Sequence, residues 1–218
     1  MMFWKTSYFA ENASKNLIRT PGIWGTAVLV FLLSLITFCG VNGFYLLSDW
    51  YREVATGLRE AENGTGSLIQ LIQAPLIPIR IFQGLALLVT LCAGGTTIAY
   101  CHRSFRLFAQ TQEQDFKIMS LIGESVRGIS GEFALQSLLF LGTILGIASI
   151  VANLLYWFSL APAVCHDRFG SFGAMLVALA SAHFPLMALA LSYVALRLFG
   201  YVRRLLWSWL DGRWAVTA

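Results

Sequence analysis

Residues 81–102, "IFQGLALLVTLCAGGTTIAYCH", contain no Asp, Glu, Lys or Arg, although Arg80 and Arg103 flank the stretch on both sides. A helix needs about 20 residues to cross the roughly 30 Å of hydrocarbon in a bilayer. Three more charge-free stretches are longer still, at residues 20–48, 133–166 and 169–196. The four runs predict an all-α membrane protein with four transmembrane helices.

The composition of the chain agrees with a bilayer as its solvent. Of the 218 residues, 57% are hydrophobic and only 12% are charged, whereas a soluble domain is typically about 25% charged. The charge-free stretch 67–79 holds Pro75 and Pro78, so it is interpreted as an interfacial lead-in to the second span. The first apolar run has no small-residue cleavage site shortly after it, which favours a retained span over a signal peptide.

The charge-free runs divide the chain into nine predicted parts. In chain order these are a cytoplasmic amphipathic interfacial helix (1–21), transmembrane helix 1 (22–47), a short extracytoplasmic loop (48–80), transmembrane helix 2 (81–104), a cytoplasmic helix extension and loop segment (105–132), transmembrane helix 3 (133–158), a short extracytoplasmic loop (159–171), transmembrane helix 4 (172–199) and a cytoplasmic interfacial tail (200–218). Residues 48–62 are expected to continue the first helix.

The orientation follows from the basic residues. With four spans, both termini and the middle segment share one side, and loops rich in Lys and Arg face the cytoplasm. We therefore predict that both termini are cytoplasmic, and we interpret the net charge of +4 as a topology signal that implies no nucleic-acid partner. The basic residues on that side are Lys5, Lys15, Arg19, Arg103, Arg106, Lys117, Arg127, Arg197, Arg203, Arg204 and Arg213.

Both ends of the chain mix basic and aromatic residues, as interfacial helices do. Residues 3–19 place basic residues on one predicted helical face and apolar residues on the other, with a solvated tail as the alternative. The residues predicted to anchor the chain at the membrane surface are Trp4, Lys5, Lys15, Arg19, Arg203, Arg204, Trp207 and Trp209.

The sequence contains no recognisable catalytic, cofactor-binding or metal-binding motif, and no phosphate-binding loop. His183 lies in the fourth span, and an intramembrane ionisable group is a functional hypothesis by default. We favour the alternative in which His183 hydrogen-bonds a neighbouring helix or a freed backbone carbonyl, and in which Asn42 and Asn153 make interhelical hydrogen bonds. Gly142 and Gly146 form a small-residue pattern that predicts close helix packing.

The middle segment carries its own signals for helix ends. Residues 105–119 are predicted to continue the second helix, and Gly123 to end it. Ser130 is then expected to cap the third transmembrane helix, with Glu132 in its positive first turn.

Two stretches resemble the FtsX-like permease family. "ENASKNLIRTPGIWGTAVLVFLLSL" (11–35) is similar to the surface helix and first span of that family. "EQDFKIMSLIGESVRGISGEFALQSLLFLGTILGI" (113–147) is similar to its signature after the second helix. The positions that carry the second resemblance are Glu113 or Asp115, Ile118, Leu121, Ile122, Gly123, Ser125, Ile129, Phe133, Gln136, Gly142 and Gly146.

The resemblance implies the permease subunit of a type VII ABC system in the bacterial inner membrane, the class of cell-division FtsX, MacB and the lipoprotein exporters. Such subunits form homodimers or heterodimers and bind a separate cytoplasmic ATPase, FtsE-like or MacB-like, which would hold ATP and Mg. Segment 105–132 would then be the ATPase-coupling segment. Its implied docking residues are Glu113, Lys117, Ile118, Met119, Leu121, Ile122, Gly123, Glu124, Ser125 and Arg127.

This chain departs from the family pattern at three points. Glu124 replaces the usual Ala, Gln136 stands where a carboxylate is common, and about thirty residues replace the outer domain. The leading hypothesis is mechanotransmission, in which helix movement passes ATPase motion to an extracytoplasmic protein partner. The alternatives are export or extraction of a hydrophobic peptide, lipid or lipoprotein, and an ATPase-independent membrane assembly or immunity protein.

Overall fold

The computed structural model describes residues 22–62, 76–159 and 171–216. Every regular element within these ranges is an α-helix, in the order α1 (Ile23–Glu62), α2 (Leu76–Thr111), α3 (Glu113–Leu121), α4 (Val126–Ser159) and α5 (Phe172–Val216). Four of them, α1, α2, α4 and α5, are long and apolar enough to cross a membrane. The prediction of an all-α protein with four membrane-spanning helices is confirmed in these respects.

The long helices extend beyond the hydrocarbon that they must cross. They contain 40, 36, 34 and 45 residues, against the roughly 20 that a span needs. Residues 48–62 continue α1, as predicted, and residues 200–216 continue α5 as one helix where a separate interfacial tail was expected. The predictions for residues 1–21, 63–75 and 160–170 lie outside the described ranges.

The helical extension beyond the second span is interrupted. α2 ends at Thr111, Gln112 adopts φ −92° and ψ 7°, and α3 begins at Glu113. The prediction of one continuous helix through residue 119 is therefore wrong. Glu113 and Asp115 lie in the first turn of α3, where carboxylates interact favourably with the positive end of the helix, so this acidic start favours a new helix at this point.

Gly123 ends α3 as predicted. Its φ of +100° lies in the left-handed region, which residues with a Cβ rarely adopt. The Gly123 amide donates to Ser120 O at 3.3 Å and the Glu124 amide to Met119 O at 3.1 Å, which is the hydrogen-bond pattern of a Schellman C-cap.

Ser125 caps α4, and the expectation that Ser130 does so is wrong. The Gly128 amide donates to Ser125 Oγ at 3.1 Å, as an N-cap requires. Because α4 begins at Val126, Ser130 lies inside the helix and donates to Val126 O at 2.7 Å. Glu132 consequently lies beyond the first turn.

The chain forms two compact units. Among the described residues, the first unit comprises 22–31, 97–147 and 185–216, and the second comprises 32–62, 76–96, 148–159 and 171–184. Phe105 is fully buried in the core of the first unit, where its ring meets Phe108 and Phe140 edge to face at 5.9 and 6.0 Å. The second unit packs Tyr45, Tyr156 and Trp157 around buried Met175 and Leu179.

Candidate functional site

An aromatic side chain of α3 packs against the rest of the first unit. Phe116 is the buried residue of this helix, with 4% of its surface exposed. Its ring meets that of Phe133 in α4 edge to face, with centroids 5.6 Å apart. At the next residue, the Lys117 ammonium lies 5.9 Å from the ring centroid of Trp209 in α5. These contacts give α3 a defined position against α4 and α5.

Three large aliphatic side chains lie on the outside of this attached segment. Ile118, Leu121 and Ile122 are 54%, 60% and 82% exposed. Their spacing of i, i+3 and i+4 places them on one helical face, and together they are called the α3 patch below. The structure therefore brings together three of the predicted docking residues, whereas Met119 is half-buried.

The other predicted docking residues have partners within the chain or lie beside the α3 patch. Lys117 Nζ is 2.7 Å from Glu113 Oε1, so these two charges pair with each other. Gly123 and Ser125 form the helix caps that shape the segment. Glu124 is half-buried and Arg127 is exposed.

The predicted surface anchors differ in how exposed the structure leaves them. Arg203, Arg204 and Trp207 are exposed on α5, with 49% of Trp207 accessible. Trp209 is half-buried and its ring lies near the Lys117 ammonium. Trp4, Lys5, Lys15 and Arg19 lie outside the described residues.

The second unit contains a buried polar cluster formed by Asn42 of α1, Ser149 and Asn153 of α4, and His183 of α5. Asn42 Nδ2 donates to Asn153 Oδ1 at 3.0 Å, and His183 Nε2 lies 2.8 Å from Asn42 Oδ1. Ser149 Oγ lies 2.7 Å from His183 Nδ1. The predicted interhelical hydrogen bonds of His183, Asn42 and Asn153 are confirmed.

The hydrogen bonds of this cluster form one directed chain. With the Asn42 amide in this orientation, His183 Nε2–H donates to Asn42 Oδ1, and Nδ1 accepts a hydrogen bond from the Ser149 hydroxyl. Each of the four residues is at least nine-tenths buried, and the His183 ring lies 4.5 Å from that of Phe38. The arrangement satisfies polar groups that apolar surroundings would otherwise penalise, and it ties three helices together.

Sequence reasoning missed Ser149 in this cluster. Ser149 and Asn153 are four residues apart on α4, so they share a helical face, and this spacing could have identified Ser149.

Although a Ser–His pair can act as nucleophile and base, His183 here bonds an amide through its other nitrogen. Among the described residues, no three His, Cys, Asp or Glu side chains group as metal ligands.

The close approach of two helices lies at Gly40, which the sequence did not single out. A Cβ at Gly40 would overlap Thr90 Oγ1 and lie 3.4 Å from Ala86 O. A Cβ at Gly142 would make an ordinary contact of 4.0 Å with Leu191 Cδ1, and no described atom lies within 4 Å of one at Gly146. Within the chain, Gly142 and Gly146 therefore do not mark a close approach, since the Leu191 side chain fills the space beside Gly142.

Comparisons with known protein families, with curated proteins and with solved structures find no match for this chain.

Proposed function

We propose that this protein is a non-catalytic transmembrane subunit of an ABC-type complex, in which a separate cytoplasmic ATPase binds the α3 patch. The observation that carries the proposal is the exposure of Ile118, Leu121 and Ile122 on a helix that is itself fixed by Phe116. Burying each such side chain is worth about 1.5–3 kcal/mol. A protein partner that covers all three would recover this free energy.

The charges around the α3 patch favour a protein partner over lipid. Between Glu113 and Arg127 the charged residues are Glu113, Asp115, Lys117, Glu124 and Arg127, one third of the segment, whereas 12% of the whole chain is charged. Such a density is costly in hydrocarbon and ordinary in water. An apolar patch rimmed by charges is typical of protein–protein interaction sites.

The contacts of α3 suggest how movement of the ATPase would enter the membrane. Because α2 ends at Thr111, the movement would not pass through one continuous helix to residue 119, as the sequence predicted. Phe116 contacts Phe133 near the start of α4, and α4 continues for 34 residues without a break. A displacement of α3 would therefore pass to α4 through this aromatic contact.

The remaining parts of the proposal follow from the resemblance to the FtsX-like family. The ATPase would hold ATP and Mg, two permease subunits would form a homodimer or heterodimer in the bacterial inner membrane, and both termini would be cytoplasmic. Mechanotransmission to an extracytoplasmic protein is the leading role. Because about thirty residues replace the family's outer domain, a separate outer partner would have to receive the movement.

The test uses full-length tagged protein and a separately purified ATPase, chosen by its co-purification with the wild type and its nucleotide-binding motifs. The variant Leu121→Asp/Ile122→Asp should weaken binding of that ATPase at least tenfold, since it puts charges into the buried centre of the contact. The control is Gln114→Asp, which adds a charge at an exposed polar position of the same helix and should bind like the wild type.

Equal binding by the α3-patch variant and the wild type would refute docking at this patch. If no ATPase co-purifies with the wild type, the ATPase-independent assembly or immunity role takes its place.

A groove in the second unit favours the alternative role, transport of a hydrophobic substrate. It has a volume of about 380 Å³, within the usual range for ligand sites, and small residues of α1 and α2 leave room for it. Its lining residues are Gly40, Gly43, Leu46, Leu47, Phe82, Leu85, Ala86, Val89 and Tyr156.

The groove is tested with Gly43→Leu, which fills it, against Gly84→Leu, where a Cβ meets no described atom within 4 Å. In the reconstituted complex, a lipid-like substrate should stimulate ATP hydrolysis for Gly84→Leu and not for Gly43→Leu. Stimulation only by an extracytoplasmic protein would favour mechanotransmission.

A further inference from the structure

Two helical segments of the first unit carry positive charge without any carboxylate. Residues 97–111 of α2 and residues 185–210 of α5 contain no Asp or Glu. Basic residues there are His102, Arg103, Arg106, Arg197, Arg203 and Arg204. Positive charge at one end of transmembrane helices is common, so the arrangement of these side chains decides whether they form a site.

Three of these residues lie on the adjoining sides of the two helices. The guanidinium carbon of Arg106 in α2 lies 4.7 Å from the ring centroid of Tyr201 in α5. Arg197 lies one turn before Tyr201 on α5, and its charge, like that of Arg106, acts on the His102 imidazole. The pairs 102/106 and 197/201 are each four residues apart, so each pair shares a helical face.

Aromatic rings hold both guanidinium groups. Arg106 stacks on Tyr201, and Arg197 Cζ lies 6.0 Å from the ring centroid of Tyr193. Such cation–π contacts fix the direction of a guanidinium while leaving its N–H groups free to donate. His102, Arg106 and Arg197, with Tyr193 and Tyr201, are called the α2–α5 basic cluster below.

The basic cluster has no internal counter-charge. Among residues 22–62, 76–159 and 171–216, neither Arg106 nor Arg197 forms an ion pair with a carboxylate. Both arginines are exposed. Like charges on the adjoining sides of α2 and α5 repel, and an anion that accepts hydrogen bonds from both arginines would remove this repulsion.

The position of the cluster along the helices points to the lipid headgroups. The charge-free stretch 81–102 of α2 covers about 30 Å as a helix, the thickness of the hydrocarbon, and Arg106 lies about one turn beyond its end. On α5, Arg197 is the first charged residue after the stretch 169–196. Leu196, which is 72% exposed, supplies an apolar surface beside the cluster.

We propose that the α2–α5 basic cluster binds the phosphate group of an anionic phospholipid, whose acyl chains lie against the apolar surface that includes Leu196. Planar guanidinium groups match the geometry of a phosphate, and an anionic lipid supplies the missing negative charge at this depth. This site is independent of the proposed coupling to an ATPase.

The test measures the affinity of the full-length protein in neutral detergent for phosphatidylglycerol and for phosphatidylcholine with the same acyl chains. The wild type should bind phosphatidylglycerol more tightly. Arg106→Gln/Arg197→Gln should weaken that binding roughly 30-fold, the loss expected for two arginines at an anionic headgroup. The matched control Arg103→Gln/Arg127→Gln removes the same charge from two exposed arginines outside the cluster and should weaken binding by less than about threefold.

A second variant keeps the test valid if the double substitution alters the fold. Tyr201→Leu preserves every charge and removes the ring under Arg106, so binding should weaken by roughly two- to fivefold, whereas Tyr201→Phe should bind like the wild type. Equal losses in the cluster variant and the matched control would overturn the site in favour of diffuse attraction. Displacement of phosphatidylglycerol by excess inorganic phosphate would overturn the assignment to a lipid.

Discussion

Replacement of Asn42 by Leu is the sharpest test of the buried polar cluster. Asn42 accepts a hydrogen bond from His183 Nε2 at 2.8 Å and donates one to Asn153 Oδ1 at 3.0 Å. Leucine has a similar size but can make neither bond. The substitution therefore removes two interhelical hydrogen bonds and leaves two buried polar atoms without their partner.

The expected loss of stability is about 2 kcal/mol. An interhelical hydrogen bond in a membrane contributes about 0.6 kcal/mol on average and up to about 1.7 kcal/mol. A buried polar atom that loses its partner costs about 1–3 kcal/mol. The net loss is smaller because polar groups of the unfolded chain also find hydrogen-bond partners within the micelle. Because His183 and Asn153 are almost fully buried, at 1% exposure each, water does not replace Asn42.

The measurement is the free energy of unfolding in mixed micelles as the fraction of SDS rises, followed by helical circular dichroism. The control is Ser34→Ala on the same helix, since Ser34 Oγ is buried and has no hydrogen-bond partner among the described residues. Removing that hydroxyl should leave stability unchanged or raise it slightly. A loss below about 0.5 kcal/mol for Asn42→Leu, or one equal to that of the control, would refute the cluster as a source of stability.

Two further predictions concern glycines and use the same unfolding assay. Gly40→Ala should lower the free energy of unfolding by about 1 kcal/mol or more, because its Cβ would displace the Thr90 hydroxyl. Gly146→Ala, which meets open space, should raise it by about 0.5–1 kcal/mol, and the reverse order would contradict the close approach at Gly40. Gly123→Ala should lower the free energy of unfolding by about 1–2 kcal/mol, because a φ of +100° is strained for alanine. The control Gly131→Ala, inside α4, should raise the free energy of unfolding. Equal effects of the two substitutions would argue against the C-cap at Gly123.

The sequence determined the fold class and the approximate places of the membrane-spanning helices. This was possible because the free energy of placing a segment in hydrocarbon is nearly a sum over its own residues. Gly123 was also identifiable as a helix end, since the need for a left-handed backbone conformation is local. The resemblance to the FtsX-like family, the orientation and the partner remain predictions.

Helix boundaries were less predictable where competing local signals lie close together. Ser125 and Ser130 are both residue types that cap helices. Which of them caps α4 depends on where the C-cap at Gly123 ends the preceding helix. In the same way, the break at Gln112 could have been inferred from the acidic start at Glu113, which favours a new helix at this point.

The tertiary structure decided which side chains meet. The sequence suggested that His183 and Asn42 have partners on other helices, but the register between the helices selects those partners. Only the structure places Ser149 beside His183. The same is true of Gly40, whose close neighbour Thr90 lies on a different helix, and of Arg106, whose guanidinium lies over Tyr201 of a different helix. Hydrophobicity places a helix in the bilayer because it acts residue by residue, whereas packing depends on contacts between segments far apart in the chain.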